Sequence, residues 1–291
     1  VAMRVRALAK INLGLDVLRK REDGYHEVRM VMQTIQMYDV INLYKTSRPG
    51  IWLRTNLPYI PTDERNLVYK AAELLMREFH IRGGLRIDLQ KFIPVSAGLA
   101  GGSSDAAATL VAVNRMFHLH LSKKELMKRG LSIGADVPYC VMRGTALAEG
   151  IGEKLTPLPP APGCFVLVGK PAVNVSTKQA YESLHLEKIA RHPDIHSLVQ
   201  GIQAQDLAAM IPHMENVFEP GITREDPVIG QIRELMLEKG ALHAMMSGSG
   251  PTVFGLFDSW AAIQRAANAL RESQMARTVF ATRFFNNKGK R

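Results

Sequence analysis

Residues 94–113 read PVSAGLAGGSSDAAATLVAV. Backbone amides with few side chains in the way bind anions, so three glycines and three serines ahead of an apolar run make a candidate phosphate cradle. The segment Leu85–Leu89 before it reads as a strand, and DAAATLVAVNRMF after it is apolar nearly all round, as in a buried helix. The glycines therefore lie between a strand and a helix N-terminus, with Ser103 or Ser104 as the expected cap and Asp105 suited to the positive helix end. A tight strand-to-helix turn of small residues is the alternative. Two common nucleotide loops do not match. The P-loop needs a Gly-Lys-Ser/Thr ending, and there is no lysine between Phe92 and Arg115. The pattern G-x-G-x-x-G fails because position 100, two after Gly98, is Ala100.

Other residues could do chemistry. Lys10 and Asn12 alternate along a strand and share one face, where a cation and an amide could hold a hydroxyl; an exposed strand lysine is the plainer reading. Asp136 precedes Val137-Pro138, so it is either a working carboxylate or a helix N-cap. Tyr25 and His26 follow a hairpin signal, Asp23-Gly24: an aromatic face to stack on a base and an imidazole to read its edge, or simply a turn tyrosine and a surface histidine. The run Ser247-Gly248-Ser249-Gly250-Pro251 is either a second anion loop or a type I′ or II′ hairpin turn.

These residues need a scaffold. Residues 4–17 alternate as a half-buried strand, and a second strand is expected near 28–37. A helix over Asn66–Phe79 carries the stripe Leu67, Ala71, Leu74, Leu75 and Phe79. Ser122 and Glu125 form a capping box that starts another helix. The prolines of LPPAPG (158–163) mark a boundary between residues 1–160 and 161–291. Beyond it the pattern predicts a buried strand at 164–170 and helices near 176–184, 202–216 and 227–239. The last of these has Asp226 as N-cap, Pro227 first and Gly240 past its end. Strands are expected at 241–245, 252–257 and 277–285, with a helix from Ser259 to about Ser273.

The 291 residues are 46% apolar and 22% charged, ordinary values for a globular chain. No apolar run approaches the roughly 18 residues of a membrane span, and the N-terminal residues do not read as a signal peptide. Cys140 and Cys164 form no metal or redox motif and fit a reducing cytoplasm, with a disulfide between them left open. The net charge of +10 suits a polyanionic partner, a phosphorylated small molecule or a nucleic acid. The basic residues are scattered, densest at Arg19–Arg21 and in the tail Lys288, Lys290 and Arg291, so nucleic acid is the weaker expectation.

The run from Pro94 to Ser104 resembles the second motif of the galactokinase–homoserine kinase–mevalonate kinase–phosphomevalonate kinase (GHMP) superfamily. AKINLGLDVLRKREDGYHEV (9–28) resembles the first motif of the branch whose acceptor is 4-diphosphocytidyl-2-C-methyl-D-erythritol. IGADVPYC (133–140) resembles that branch's catalytic-aspartate segment, and SGSGPTVFGLF (247–257) the superfamily's third motif. Four motifs in family order span nearly the whole chain.

The resemblance implies an α+β, two-domain fold, the N-terminal part like the second domain of ribosomal protein S5 and the C-terminal part ferredoxin-like. It implies a cytoplasmic, ATP-dependent kinase of isoprenoid precursor synthesis, working with Mg2+ on the acceptor's 2-hydroxyl. Pro94, Val95, Ser96, Ala97, Gly98, Leu99, Ala100, Gly101, Gly102, Ser103 and Ser104 would bind ATP. Lys10 and Asp136 would be catalytic. Asn12, Tyr25, His26 and Thr177 would contact the acceptor, although Lys178 departs from the proline expected after Thr177. Ser247, Gly248, Ser249 and Gly250 would face the phosphates from a second loop. No metal ligands are assigned by it. The partners are small molecules, without membrane, and the assembly a monomer or homodimer.

Overall fold

The computed structural model describes residues 2–189 and 191–286; the basic tail lies outside the described residues. The chain divides into two units. The first comprises Val1–Ala9, Met37–Val95 and Ala100–Met142, and the second Lys10–Gln36, Ser96–Leu99 and Arg143–Arg291.

Two long strands serve both units, β1 (Ala2–Lys20) and β2 (His26–Thr46), which pair with each other. In the first unit β3 (Gly50–Thr55) runs parallel to β4 (Gly84–Gln90), and β4 is antiparallel to β2. Helices α1 (Leu67–Glu78), α2 (Gly101–Met116), α3 (Lys123–Gly130) and α4 (Val137–Met142) complete it. Asn66 caps α1 by accepting from the Val68 amide at 2.9 Å, a contact worth about 1 kcal/mol. The buried stripe of α1 is Val68, Ala71, Ala72, Leu75 and Met76, shifted by about one residue from the expected one. Ser122 and Glu125 form the expected capping box at α3.

In the second unit β5 (Thr145–Gly150) pairs with β2 and with β6 (Lys154–Pro157). A separate antiparallel sheet follows, built from β7 (Phe165–Lys170), β8 (His243–Met246), β9 (Val253–Phe257) and β10 (Thr278–Arg283). Its order, β10-β7-β9-β8, is the ferredoxin-like one that the resemblance implied. Helices α5 (Thr177–Ser183), α6 (Ile195–Gln203), α7 (Leu207–Met210), α8 (Glu219–Glu225), α9 (Pro227–Glu238) and α10 (Trp260–Glu272) belong to this unit. Among the described residues no helix is long and apolar enough to cross a membrane. Cys140 and Cys164 are not joined in a disulfide, and burial pushes the Cys164 thiol up to about 12, which makes it a poor nucleophile.

Four expectations need correction. β1 is buried on both faces from Ala7 to Val17, because loops close over its polar side. β2 runs on to Thr46 instead of ending near 37, since the alternating pattern continues through MYDVINLYK. The helix expected over 202–216 is interrupted: Gln205 takes φ 57°, and Asp206 caps a new turn at α7. Asp226 stands at the N-cap position of α9, but its side chain makes no capping bond; Pro227 and Gly240 (φ 97°) sit as predicted.

Candidate active site

The glycine run folds differently from its prediction. Helix α2 begins at Gly101, within the glycines, and its N-cap is Ala100 in the left-handed conformation (φ 53°, ψ 35°). Neither Ser103 nor Ser104 caps it. The Ser104 hydroxyl instead donates to the Leu8 carbonyl at 2.6 Å, fastening α2 to β1, and Asp105 is turned inward and buried. With no side-chain cap, the first amides of a sixteen-residue, largely buried helix are left for an external acceptor. Gly102 is exposed there, and Ser103 is half-buried. A Cβ on Gly134 would lie 3.8 Å from the Ser103 hydroxyl, so the segment leading to Asp136 runs beside this helix start.

Gly102 also supplies a clean test. A Cβ there meets only Leu67 Cδ1 at 3.6 Å, ordinary contact, and its φ is not positive. Gly101 is less suitable, since its Cβ would come within 3.1 Å of Lys91 Nζ and Ile93. Gly102→Val is expected to weaken ATP binding while shifting the melting temperature little; unchanged ATP affinity would leave only the packing turn.

Asp136 is half-buried immediately before α4, and its carbonyl accepts from the Cys140 amide at 3.0 Å. Its backbone therefore starts the helix, as the N-cap reading expected, while Val137 to Met142 are all buried and fix it.

The second unit gathers a different set. Lys10 is 5% exposed, which excludes the exposed-lysine reading. Its Nζ donates to Asn12 Oδ1 at 2.7 Å and to the Gly98 carbonyl at 3.2 Å. The Ser247 hydroxyl donates to the same carbonyl at 3.0 Å and accepts from the Asn12 amide at 3.3 Å. Gly98 has φ 75°, and a Cβ on it would fall 2.1 Å from the Ser247 carbonyl oxygen. Only glycine allows this approach. The segment Ser247–Thr252 connects the antiparallel strands β8 and β9, so it is a hairpin loop, but longer than a two-residue I′ or II′ turn. Thr177, at the start of α5, places its hydroxyl 3.2 Å from that of Ser249 in this loop.

Tyr25 is 61% exposed after the Asp23-Gly24 turn. His26 is stacked on Tyr181, with ring centroids 4.6 Å apart, and Tyr181 meets Phe218 edge-on at 4.9 Å. Burial and the nearby Lys20 lower the His26 pKa, so its imidazole is neutral at pH 7. Sequence reasoning missed Tyr181, and it missed Asn216, whose amide donates to the Met246 and Gly248 carbonyls at 2.9 and 2.8 Å and holds the second glycine loop. It also missed a buried ion cluster of Asp39, Lys91 and Asp105. A lone carboxylate inside the apolar strand MYDVINL was the available signal for Asp39.

Models of the GHMP kinases match this chain twice, the N-terminal domain at residues 66–144 and the C-terminal domain at 198–275. The chain belongs to the GHMP kinase family. Relatives cover nearly all of it. The 4-diphosphocytidyl-2-C-methyl-D-erythritol kinase of Lachnoclostridium phytofermentans is 51% identical over 98% of both chains. That of Lachnospira eligens is 51% identical over 98% of this chain and 99% of its own. A crystal structure of 4-(cytidine 5'-diphospho)-2C-methyl-D-erythritol kinase superposes with a TM-score of 0.84 at 32% identity, covering 98% of this chain and 100% of that one. A homoserine kinase from Cytophaga hutchinsonii, at 22% identity and a TM-score of 0.78 over 97% of this chain and 93% of its own, shares the GHMP kinase fold. The architecture is thus the α+β, two-domain one that the motifs implied.

Proposed function

We propose that this GHMP kinase transfers the γ-phosphoryl group of ATP to the 2-hydroxyl of 4-diphosphocytidyl-2-C-methyl-D-erythritol, in the non-mevalonate route to isoprenoid precursors. The observation that carries the acceptor's identity is the 51% identity across 98% of both chains with the Lachnoclostridium relative. The uncapped start of α2 supports the nucleotide half of the reading. Residues 1–160 carry the ATP-binding and catalytic parts and 161–291 the substrate side; the two family-model matches fall either side of residue 160.

Phosphoryl transfer asks the protein mainly for positioning and charge stabilisation. The amides of Gly101, Gly102 and Ser103 and the dipole of α2 hold the phosphates. Residues 94–100 wrap them, and Ser247–Gly250 contribute from the second glycine loop. Asp136 takes the proton of the attacking hydroxyl. Lys10 supplies positive charge to the reacting oxygens, and Asn12 orients the hydroxyl.

Among the described residues there is no group of three or more His, Cys, Asp or Glu that could cage a metal. Mg2+ normally binds through phosphates and water with one or two protein oxygens, so the donors present fit a metal that arrives with ATP, the half-buried Ser103 hydroxyl in the first turn of α2 being a candidate ligand. Bound there, Mg2+ would neutralise charge on the transferring phosphoryl group.

Tyr25 stacks on the cytosine and the neutral His26 reads its edge, while Thr177 contacts the acceptor. Tyr25→Ala is expected to raise KM for the cytidyl substrate about tenfold to a hundredfold, as loss of base stacking does, with KM for ATP nearly unchanged. An unaltered KM for the acceptor would reduce the 23–27 segment to a hairpin. The whole reading is tested by following ATP consumption with and without 4-diphosphocytidyl-2-C-methyl-D-erythritol and with a panel of other alcohols. Turnover that requires the cytidyl substrate supports it; turnover on homoserine or mevalonate alone would overturn the acceptor.

A further inference from the structure

One buried ion cluster holds both ends of the glycine run. Lys91 follows β4 and leads into the run; Asp105 lies in α2 just after it; Asp39 is in β2. Their side chains are 5%, 3% and 0% exposed. Lys91 Nζ donates to Asp39 Oδ2 and, at 2.7 Å, to Asp105 Oδ2. Asp39 Oδ1 accepts from the amides of Phe92 at 2.5 Å and Ile93 at 2.8 Å. Lys91 and Asp105, 14 positions apart, thereby close the chain between them into a loop. The cluster also touches the functional end of the helix, since a Cβ on Gly101 would lie 3.1 Å from Lys91 Nζ.

The charge balance matters at this place. Two carboxylates against one ammonium would bury a net negative charge beneath an anion site. Burial, with the Asp39 carboxylate adding to it, pushes the Asp105 carboxyl well above its ordinary range, and Lys91 opposes this without outweighing it. Burial works against the Lys91 ammonium, but Asp105 and Asp39 outweigh it and keep its pKa raised. Both directions oppose a net negative cluster, since burial favours the uncharged form of Asp105 while Lys91 is held in its charged form. Asp105 Oδ1 is buried without a hydrogen-bond partner, so the carboxyl gains nothing there from ionising.

We propose that Lys91, Asp39 and Asp105 are positioning residues for the nucleotide, a buried staple that fixes Gly101 and the first amides of α2 where the phosphates of ATP bind. The proposal rests on the kinase reading. It differs from a general stabilising role in one respect: cutting the staple displaces amides that only the nucleotide uses.

The experiment is titration calorimetry of the full-length protein with a non-hydrolysable Mg-ATP analogue and, separately, with 4-diphosphocytidyl-2-C-methyl-D-erythritol, alongside thermal melts. Lys91→Met keeps the stem and removes the charge. It is expected to weaken the nucleotide about tenfold or more, the effect of small displacements in a binding site, and to leave acceptor affinity unchanged. Asp105→Leu keeps the Lys91–Asp39 pair and cuts only the link to α2; the same split is expected. Asp105→Asn carries the charge of the protonated acid and retains an acceptor for Lys91, so it should restore most of the affinity lost in Asp105→Leu. Should Lys91→Met not fold, the two Asp105 variants decide. Nucleotide affinity in Asp105→Leu equal to wild type, or nucleotide and acceptor affinities falling together, would overturn the staple. Failure of the wild type itself to bind the nucleotide would instead overturn the kinase reading.

Discussion

Asp136→Asn is expected to lower kcat by about 10²–10⁴-fold, the usual worth of a positioned general base, while ATP and acceptor still bind. The amide keeps the size of the side chain and much of its hydrogen bonding. It loses the negative charge proposed to accept the hydroxyl's proton. The backbone role is untouched, because the bond from the Cys140 amide ends on the Asp136 carbonyl and not on its carboxylate. α4 should therefore start at the same place, and the melting temperature should move little. Single-turnover kinetics with saturating substrates provide the measurement. A near-normal rate would show that Asp136 serves only to start its helix.

The second large effect is expected from Lys10→Met, a fall of about 10²–10³-fold in kcat, comparable with the loss of one group that stabilises transition-state charge. Here the structural cost is not negligible. Lys10 Nζ satisfies Asn12 Oδ1 and shares the Gly98 carbonyl with Ser247. Removing it leaves Asn12, fully buried, short of a donor, which costs about 1–3 kcal/mol. The kinetic and thermal effects must be measured on the same preparation. If kcat fell only by the fraction of molecules unfolded at the assay temperature, Lys10 would be a structural lysine.

Much of this arrangement was legible in the sequence because it rests on local rules. The capping box at Ser122, the Pro227 start and Gly240 finish of α9, and the four strands of the C-terminal sheet follow from short-range preferences. They were predicted to within a residue or two. What escaped depends on contacts far apart in the chain. Alternation along β1 correctly put Lys10, Asn12 and Asp16 on one face but placed that face in water. The close approach of Gly98 and Ser247, and of His192 to Asp16 at 2.8 Å, helps to bury it. The start of α2 was misplaced for a related reason. Serine and aspartate are good caps by local preference, but here Leu8 claims Ser104 and Lys91 claims Asp105. The glycines begin the helix uncapped, and local preference yields to the function proposed for that end.

The contact between Gly98 and Ser247 has a consequence for how such a chain can change. The two residues are 149 positions apart, and they meet main chain to main chain. A side chain can adapt to a new neighbour by choosing another rotamer, but a carbonyl that would sit 2.1 Å from a new methyl group has no such freedom. Grafting the 94–104 segment from a distant relative into this chain, without its matching 247–250 segment, should therefore yield misfitted chimaeras. Libraries that vary both segments together should recover working ones. The two glycine runs, remote in sequence, are expected to change as one part.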